Sequence, residues 1–258
     1  ASITINLPTT SGTRAGSEND QFGEGTTSEY AVNDATLVLF QKDASGNFNF
    51  KETVDLGNME PWTSSSTSGI TTTAKLTAKI TKAEVGSDKG YYALIVLNNN
   101  SGTNQKITYP DIDKTYEEWS KDDKKANATN YLKHDNGFFM ANAPKYVAGG
   151  EPETLVKIDK IYASKQQAEN STATTVYVER GLAKVTLTAA TKDKKTVDAS
   201  SSYAGDEVTI SNWALDVTNK KTFPIHNVDG LSTDYENIWK NEAAAAPSTQ
   251  RFVDNSEA

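Results

Sequence analysis

The chain has 258 residues and a formal net charge of −8, and 36% of its residues are hydrophobic, which is enough for a sizeable core in one large or two ordinary domains. The negative charge argues against nucleic acid or an anionic membrane surface as a partner, because both favour clustered lysine and arginine. The absence of cysteine excludes disulfides, thiol nucleophiles and cysteine metal sites, and no apolar run approaches the roughly 18 residues of a membrane-spanning helix.

The first predicted element is a short strand at Ser2–Leu7. Strict alternation places Ile3, Ile5 and Leu7 on one face, so only that face needs an apolar partner. This pattern fits an edge strand or a strand in a groove. A sheet that loses such a strand exposes unpaired backbone groups and apolar side chains, so another strand can replace it.

Residues 8–33 are rich in threonine, serine, glycine and acids, a composition that buries too little apolar surface to order itself. This segment contains one arginine, Arg14, which Ala15 follows. A lone arginine in such a loop is ordinarily just solvated, but exposed polar linkers are also where proteolysis concentrates. A strand on such a tether can be cut away or exchanged, which favours an assembly subunit over an enzyme.

The next segments predict a β-hairpin and a central strand. Residues 35–40 form a buried strand, residues 43–47 a turn and residues 48–54 an alternating return strand. Residues 70–80 are strand-like in their threonine content, and residues 91–97 form the most apolar run of the chain. We expect the last of these strands to lie at the centre of a sheet.

Between residues 109 and 137 the pattern becomes helical. Tyr116, Trp119, Ala126 and Tyr131 recur near helical spacing among charged residues. We predict one surface helix that starts near Thr115, with acidic residues in its favourable first turn at Glu117 and Glu118.

The remaining segments predict more strands and a domain boundary. Strands are predicted at residues 138–141, 155–162, 176–178, 182–188 and 208–217. The polar, turn-prone residues 166–172 mark the best boundary. We therefore expect a mainly β protein with an N-terminal domain of residues 1–174 and a C-terminal domain of residues 175–258.

Catalytic and metal-binding patterns are weak. His134 and His226 lie far apart and have no cysteine to join them in a zinc site. Acidic groups that could bind calcium loosely occur at Asp111, Asp113, Glu117 and Glu118, and at Asp229, Asp234 and Glu236. Neither group has the glycine and spacing of an EF-hand loop, and no phosphate-binding loop or Gly-x-Ser-x-Gly elbow is present. We expect no catalytic residue, metal or cofactor.

Several segments together resemble one family. They are the arginine segment at residues 14–16, the strands at residues 35–40 and 92–98, the segment at residues 176–185, and the strand of Trp213 that ends at residues 219–221. In this order they resemble the fimbrillins of the Bacteroidales, the type V pilins of the FimA and Mfa class. The segment that begins Val176-Tyr177-Val178-Glu179-Arg180 is the most specific.

The resemblance implies a fold and a maturation route. It implies two transthyretin-like β-sandwich domains in tandem with a few short surface helices, in a lipoprotein precursor exported to the outer membrane. A trypsin-like, arginine-specific protease would cut the bond between Arg14 and Ala15 and release the first strand, with Ile3, Ile5 and Leu7. A neighbouring fimbrial subunit would then fill the vacated groove with its own strand, and the fimbria would support adhesion to a host receptor or glycan. Candidate groove residues are Leu37, Leu39, Leu94 and Val96.

One departure and two alternatives stand beside this reading. Members of the family continue past the Trp213 strand, so we expect the second domain here to be incomplete, with no donor strand assigned. The first alternative is a carbohydrate-binding outer-membrane lipoprotein, in which tryptophans offer faces for stacking on sugars, at Trp62, Trp119, Trp213 and Trp239. The second alternative is a secreted hydrolase.

Overall fold

The structure is a computed structural model, and it describes residues 2–7, 32–57, 63–64, 72–100, 102–122, 126, 128–133, 137–144, 153–182, 194–209, 212, 214 and 223–228. The protein is mainly β, as the sequence predicts. The described strands are β1 (Ser2–Leu7), β2 (Ala35–Lys42), β3 (Phe48–Gly57), β4 (Thr63–Ser64), β5 (Thr72–Thr77), β6 (Gly86–Ser87), β7 (Tyr91–Leu97), β8 (Met140–Asn142), β9 (Val156–Lys157), β10 (Lys160–Ile161), β11 (Thr174–Arg180), β12 (Lys194–Thr196) and β13 (Glu207–Thr209). The helices are α1 (Tyr116–Ser120), α2 (Ala128–Tyr131) and α3 (Lys165–Glu169), and Gly102–Asn104 forms one 3-10 turn.

Nine of these strands belong to one sheet. Its order is β3-β2-β7-β8-β11-β1-β5-β4, and β9 pairs with β7 beside β8. Except for the parallel pair β1 and β11, the described pairs are antiparallel. The predicted hairpin is present as β2 and β3, and the predicted central strand is β7, which lies between β2 on one side and β8 and β9 on the other.

The sheet folds over a buried group that we call the inner cluster. Its members include Leu37 and Leu39 of β2, Ala93, Ile95 and Leu97 of β7, Met140 of β8, and Val176 and Val178 of β11. Ala74 and Leu76 of β5 pack against the same group, although four strands separate β5 from β2 in the sheet order. The β5 end of the sheet must therefore lie across the inner cluster from the β2 end, so the strands form two facing layers.

Strand β11 belongs to both layers. Its first half pairs in parallel with β1, from Thr174 to Tyr177, and its second half pairs with β8, from Val178 to Arg180. The strand thus passes from one layer to the other along its length. Its buried residues, Val176 and Val178, both belong to the inner cluster.

The opposite face of β2 and β7 is also buried, against a group that we call the outer cluster. Its members include Val38, Phe40, Leu94, Val96, Ile107, Trp119, Tyr131, Phe139, Ala141, Leu155 and Ile225. β7 is buried on both faces for this reason, which accounts for a continuous apolar run rather than an alternating one.

The helical region differs from the single predicted helix. The start is confirmed: Thr115 is the N-cap of α1, its side chain accepts from the Glu118 N–H, and Glu118 accepts from the Thr115 N–H. However, α1 ends at Ser120, and Ala126 forms an isolated bridge with Ile107. Because that bridge needs extended backbone, one helix cannot continue through it, and α2 is a separate turn.

Two compact units divide the chain differently from the expected domains. One comprises Ala1–Leu182 with Lys221–Ser256, and the other comprises Ala183–Lys220 with Glu257–Ala258. We expected a boundary at residue 174, but β11 begins there and pairs with β1 and β8 of the first unit. The segment taken as the boundary instead contains α3, which Ser164 caps.

In the second unit, the described strands form one short antiparallel pair. β12 and β13 pair from Lys194 with Thr209 to Thr196 with Glu207. Asp198 closes the turn between them by accepting hydrogen bonds from the N–H and the hydroxyl of Ser200. The predicted strand at residues 182–188 lies outside the described residues after position 182, and the predicted strand at residues 208–217 lies mostly outside them.

Candidate functional site

The first strand occupies an interior position of the sheet. β1 pairs in parallel with β11, where Ile3 is opposite Thr174 and Ile5 is opposite Val176. On its other side β1 pairs antiparallel with β5 along its whole length, from Ser2 to Leu7. The edge position that the alternation allowed is therefore wrong, because β1 is paired on both sides. We call the place between β11 and β5 the β1 slot.

The chain neighbours of β1 are not its sheet neighbours. The next described strand along the chain, β2, is separated from β1 in the sheet by β7, β8 and β11. Residues 8–31 join β1 to the rest of the chain and lie outside the described residues, as do Arg14 and Ala15. A cut at the bond between Arg14 and Ala15 would therefore separate β1 covalently from every other described strand, while breaking none of the pairings among them.

The β1 slot opens onto the inner cluster. The residues in register with Ile5 are Val176 on β11 and Ala74 on β5, and both belong to the inner cluster or pack against it. Directly opposite residues on neighbouring strands share a face of the sheet. Positions 3, 5 and 7 of β1 therefore lie on the same face as the inner cluster, which is the face that the alternation assigned to an apolar partner.

The four predicted groove residues do not lie together. Leu37 and Leu39 belong to the inner cluster, whereas Leu94 and Val96 belong to the outer cluster on the other face. The antiparallel register explains the split, because Leu37 is opposite Ile95 and Val38 is opposite Leu94. Leu94 and Val96 are therefore excluded from the β1 slot. Sequence reasoning missed the residues that do face it from β5 and β11, Ala74, Leu76 and Val176, because their placement depends on pairings between distant segments.

The two strands that flank the slot are tied to each other independently of β1. Lys75 lies on β5, and its ammonium donates to the backbone carbonyls of Glu169 and Ser171 at 3.0 and 3.4 Å. Glu169 is the last residue of α3, and Ser171 lies in the short segment between α3 and β11. This contact joins β5 to the segment before β11 without involving β1.

A second cross-link joins the two layers. Glu52 of β3 accepts hydrogen bonds from the N–H of Thr81 at 2.7 Å, the N–H of Lys82 at 2.6 Å and the Thr81 hydroxyl at 2.6 Å, just beyond β5. Burial acts to raise the pKa of Glu52, but the hydrogen bonds from Thr81 and Lys82 outweigh it and hold the pKa below its ordinary value. The ionised carboxylate thus stabilises the contact between β3 and the segment after β5 at neutral pH.

The other candidate residues are not brought together into a site. Asp111, Asp113 and Glu118 are exposed, and within the described ranges no three histidine or acidic residues are grouped to hold a metal. Trp119 is 1% exposed and its indole N–H donates to the Thr108 carbonyl, so it offers no face to a sugar. The remaining predicted residues lie outside the described residues: Trp62, His134, Trp213, Asp229, Asp234, Glu236 and Trp239. In the part of the chain that the structure covers, no helix is long and apolar enough to cross a membrane.

Comparisons with models of protein families, with curated proteins and with solved structures found no match to this chain.

Proposed function

We propose that the protein is a structural subunit of a bacterial surface fimbria that polymerises by strand exchange at the β1 slot. The observation that carries this proposal is the position of β1, an interior strand whose sheet neighbours are distant along the chain. Its removal would leave β11 and β5 with unpaired backbone groups and would uncover the inner cluster. Such a slot is a template for a strand from another subunit.

The geometry specifies the incoming strand. To replace β1, it must run parallel to β11 and antiparallel to β5, and it must alternate apolar and polar residues. Burial of apolar side chains at positions 3, 5 and 7 would contribute roughly 1.5 to 3 kcal/mol each, before the entropy of association is subtracted. Backbone pairing on both sides adds to this, so a donated strand can hold two subunits together.

The finer parts of the proposal rest on the resemblance to the fimbrillins. They comprise two transthyretin-like sandwiches in tandem, secretion as a lipoprotein precursor to the outer membrane, and cleavage between Arg14 and Ala15 by an arginine-specific protease. Other fimbrial subunits would be the partners, and the assembled fimbria would support adhesion. Within the described strands, Lys42 pairs with Phe48 at the end of β2 and so belongs to paired backbone that resists a protease, whereas Lys51 lies in β3 at a register shift and is skipped by the pairing with β2.

Limited digestion with trypsin tests the maturation step. We expect one early cut, a new N-terminus at Ala15, and a fragment of residues 1–14 that stays bound because two ladders hold β1. N-terminal sequencing and native mass spectrometry report both results. The Arg14→Gln variant is the matched control and should resist this cut. Early cleavage at many sites, or none at Arg14, would argue against a subunit matured in this way.

The carbohydrate-binding lipoprotein remains the second candidate, but its tryptophan basis is weakened. The tryptophan that the structure describes, Trp119, is buried and hydrogen-bonded in the outer cluster. A monomer that binds glycans while uncut, and that does not exchange β1 after cutting, would favour this candidate.

A further inference from the structure

A cavity of about 220 Å³ lies on the outer face of β2, β3 and β7, beside α1 and far from the β1 slot in the sheet order. Aromatic rings form part of its wall, and three polar side chains from different segments converge on it. These lining residues are Phe48, Tyr92, Tyr116, Glu117, Thr154 and His226. All of them belong to the first compact unit.

The three polar residues present buried atoms that lack a partner. Within the described part of the chain, the buried side-chain nitrogen and oxygen atoms without a hydrogen bond are Glu117 Oε2, Thr154 Oγ1 and His226 Nε2. All three residues line this one cavity. Thr154 is only 3% exposed, and an unsatisfied buried polar group costs about 1–3 kcal/mol. Their convergence indicates that the cavity is built to hold something polar.

A hydrogen bond to Glu179 orients the imidazole of His226. Its Nδ1 lies 2.6 Å from Glu179 Oε1, at the end of β11. Because a carboxylate only accepts hydrogen bonds, Nδ1 carries the proton of this contact. In the neutral ring, Nε2 is then a hydrogen-bond acceptor on the side of the ring away from Glu179. Glu117 Oε2 is a second acceptor at the cavity.

The charges around the cavity balance. Lys42 and Lys121 carry positive charges on its lining, and Glu117 and Glu153 carry negative charges. The Lys42 ammonium also lies 5.0 Å from the centre of the Phe48 ring, which gives that charge a partner within the protein. An environment with two charges of each sign does not select a strongly charged ligand.

We propose that this cavity binds a small, neutral, polyhydroxylated molecule of the size of one sugar ring. Hydroxyl groups can donate to Glu117 Oε2 and His226 Nε2 and can both donate to and accept from Thr154 Oγ1. The rings of Phe48, Tyr92 and Tyr116 supply apolar surface for the C–H groups of such a ligand. A volume of about 220 Å³ has room for one sugar ring.

Ligand-observed saturation-transfer NMR on the full chain tests the proposal. The probes are the neutral sugars glucose, galactose, mannose and N-acetylglucosamine, with glucuronate and glucosamine as charged counterparts. We expect at least one neutral sugar to bind with a dissociation constant on the order of 1 mM, and to bind more tightly than the charged probes. A disaccharide that ends in the bound sugar shows where the ligand comes from. If the cavity binds the terminus of a glycan, the disaccharide should bind as well as the monosaccharide; if it binds a free monosaccharide, the disaccharide should bind more weakly.

Matched variants localise the binding. Thr154→Val and Glu117→Gln should each weaken it about five- to tenfold and keep the shape of the side chain. Valine removes the Thr154 hydroxyl, and the glutamine amide replaces the charged acceptor of Glu117 with a weaker neutral one. The controls are Thr108→Val, at an exposed threonine, and Glu118→Gln, which preserves the capping box of α1. Neither control should change the affinity.

Three results would overturn the proposal. The first is the absence of binding by every neutral sugar, which would leave water as the occupant of the cavity. The second is tighter binding of glucuronate or glucosamine. The third is binding that is unchanged in both cavity variants. Circular dichroism of each variant verifies that a loss of binding does not come from a loss of fold.

Discussion

β7 and β1 are both interior strands of the same sheet, yet the protein holds them in different ways. β7 is buried against the inner cluster on one face and the outer cluster on the other, and described strands precede and follow it along the chain. β1 is the first strand, and its sheet neighbours are β11 and β5, which are remote along the chain. Two interior strands of one sheet can therefore differ in how they are attached to the rest of the chain. β7 also has an attachment that does not depend on backbone pairing.

Asn142 supplies such an attachment to β7. β8 pairs with β7 at Val96 and Leu97, and β9 pairs with it at Tyr92 and Ala93, which leaves a gap between them. The Asn142 side chain fills the gap: it accepts from the Ile95 N–H at 2.8 Å and donates to the Ala93 carbonyl at 2.9 Å. It also donates to the Thr154 carbonyl at 2.8 Å.

The largest expected effect follows from removing this side chain. Asn142→Ala leaves three buried backbone groups without partners, and we expect the free energy of unfolding to fall by about 3 kcal/mol. Urea denaturation measures the change, and Asn104→Ala, at an exposed asparagine, is the control. A loss of unfolding free energy no larger than that of the control would mean that packing in the two clusters alone holds β7 in place.

An intermediate loss of stability is expected from a substitution just after β11, the strand that pairs with both β8 and β1. The Gly181 N–H donates to the Phe139 carbonyl at 3.0 Å, and a Cβ at this position would clash with Tyr131 Oη. Gly181→Ala should therefore destabilise the protein by about 1–3 kcal/mol. In a Tyr131→Phe background the same change should cost less, because the clashing hydroxyl is gone. Equal losses in the two backgrounds, measured by thermal unfolding, would contradict the contact.

The smallest effect concerns the closure of the two layers by Glu52. Because the pKa of Glu52 is lowered in the folded state, its contribution is present above the unfolded pKa of about 4.3 and is lost as the pH falls through the folded pKa. Glu52→Gln should lower stability at pH 7 by less than about 1 kcal/mol, since this partly exposed carboxylate is screened by solvent.

Denaturation of Glu52→Gln and wild type at a series of pH values checks this. The difference between them should vanish in acid. A difference that persists unchanged below the folded pKa would assign the effect to packing instead of charge.

The sequence predicts those parts of the fold that depend on local pattern. The hairpin of β2 and β3, the apolar run of β7 and the Thr115 cap follow from alternation, composition and capping chemistry. The end of α1 was not predictable, because the bridge between Ile107 and Ala126 joins segments with no recognisable partner pattern. In the same way, the alternation within β1 does not reveal that its partner will be β11, which lies more than 160 positions further along the chain.

The candidate sites show the same limit. Alternation divides β2 and β7 into two faces, but both faces are apolar, so it cannot tell that Leu39 faces the inner cluster and Leu94 the outer one. The contact between His226 and Glu179 spans 47 positions of sequence, and no spacing motif marks it. Both sites depend on register and on long-range pairing, which a single sequence does not contain.

Strand exchange into the cut protein tests the central claim most directly. Protein cut at Arg14 is mixed with a fluorescent peptide of the β1 sequence, Ser-Ile-Thr-Ile-Asn-Leu, and fluorescence anisotropy and native mass spectrometry follow the reaction. The control peptide replaces both isoleucines with asparagine, and uncut Arg14→Gln protein is the second control. The account predicts that the native peptide binds the cut protein with release of residues 1–14, whereas the control peptide and the uncut protein show no exchange. Equal binding of both peptides, or retention of residues 1–14 at saturating peptide, would contradict it.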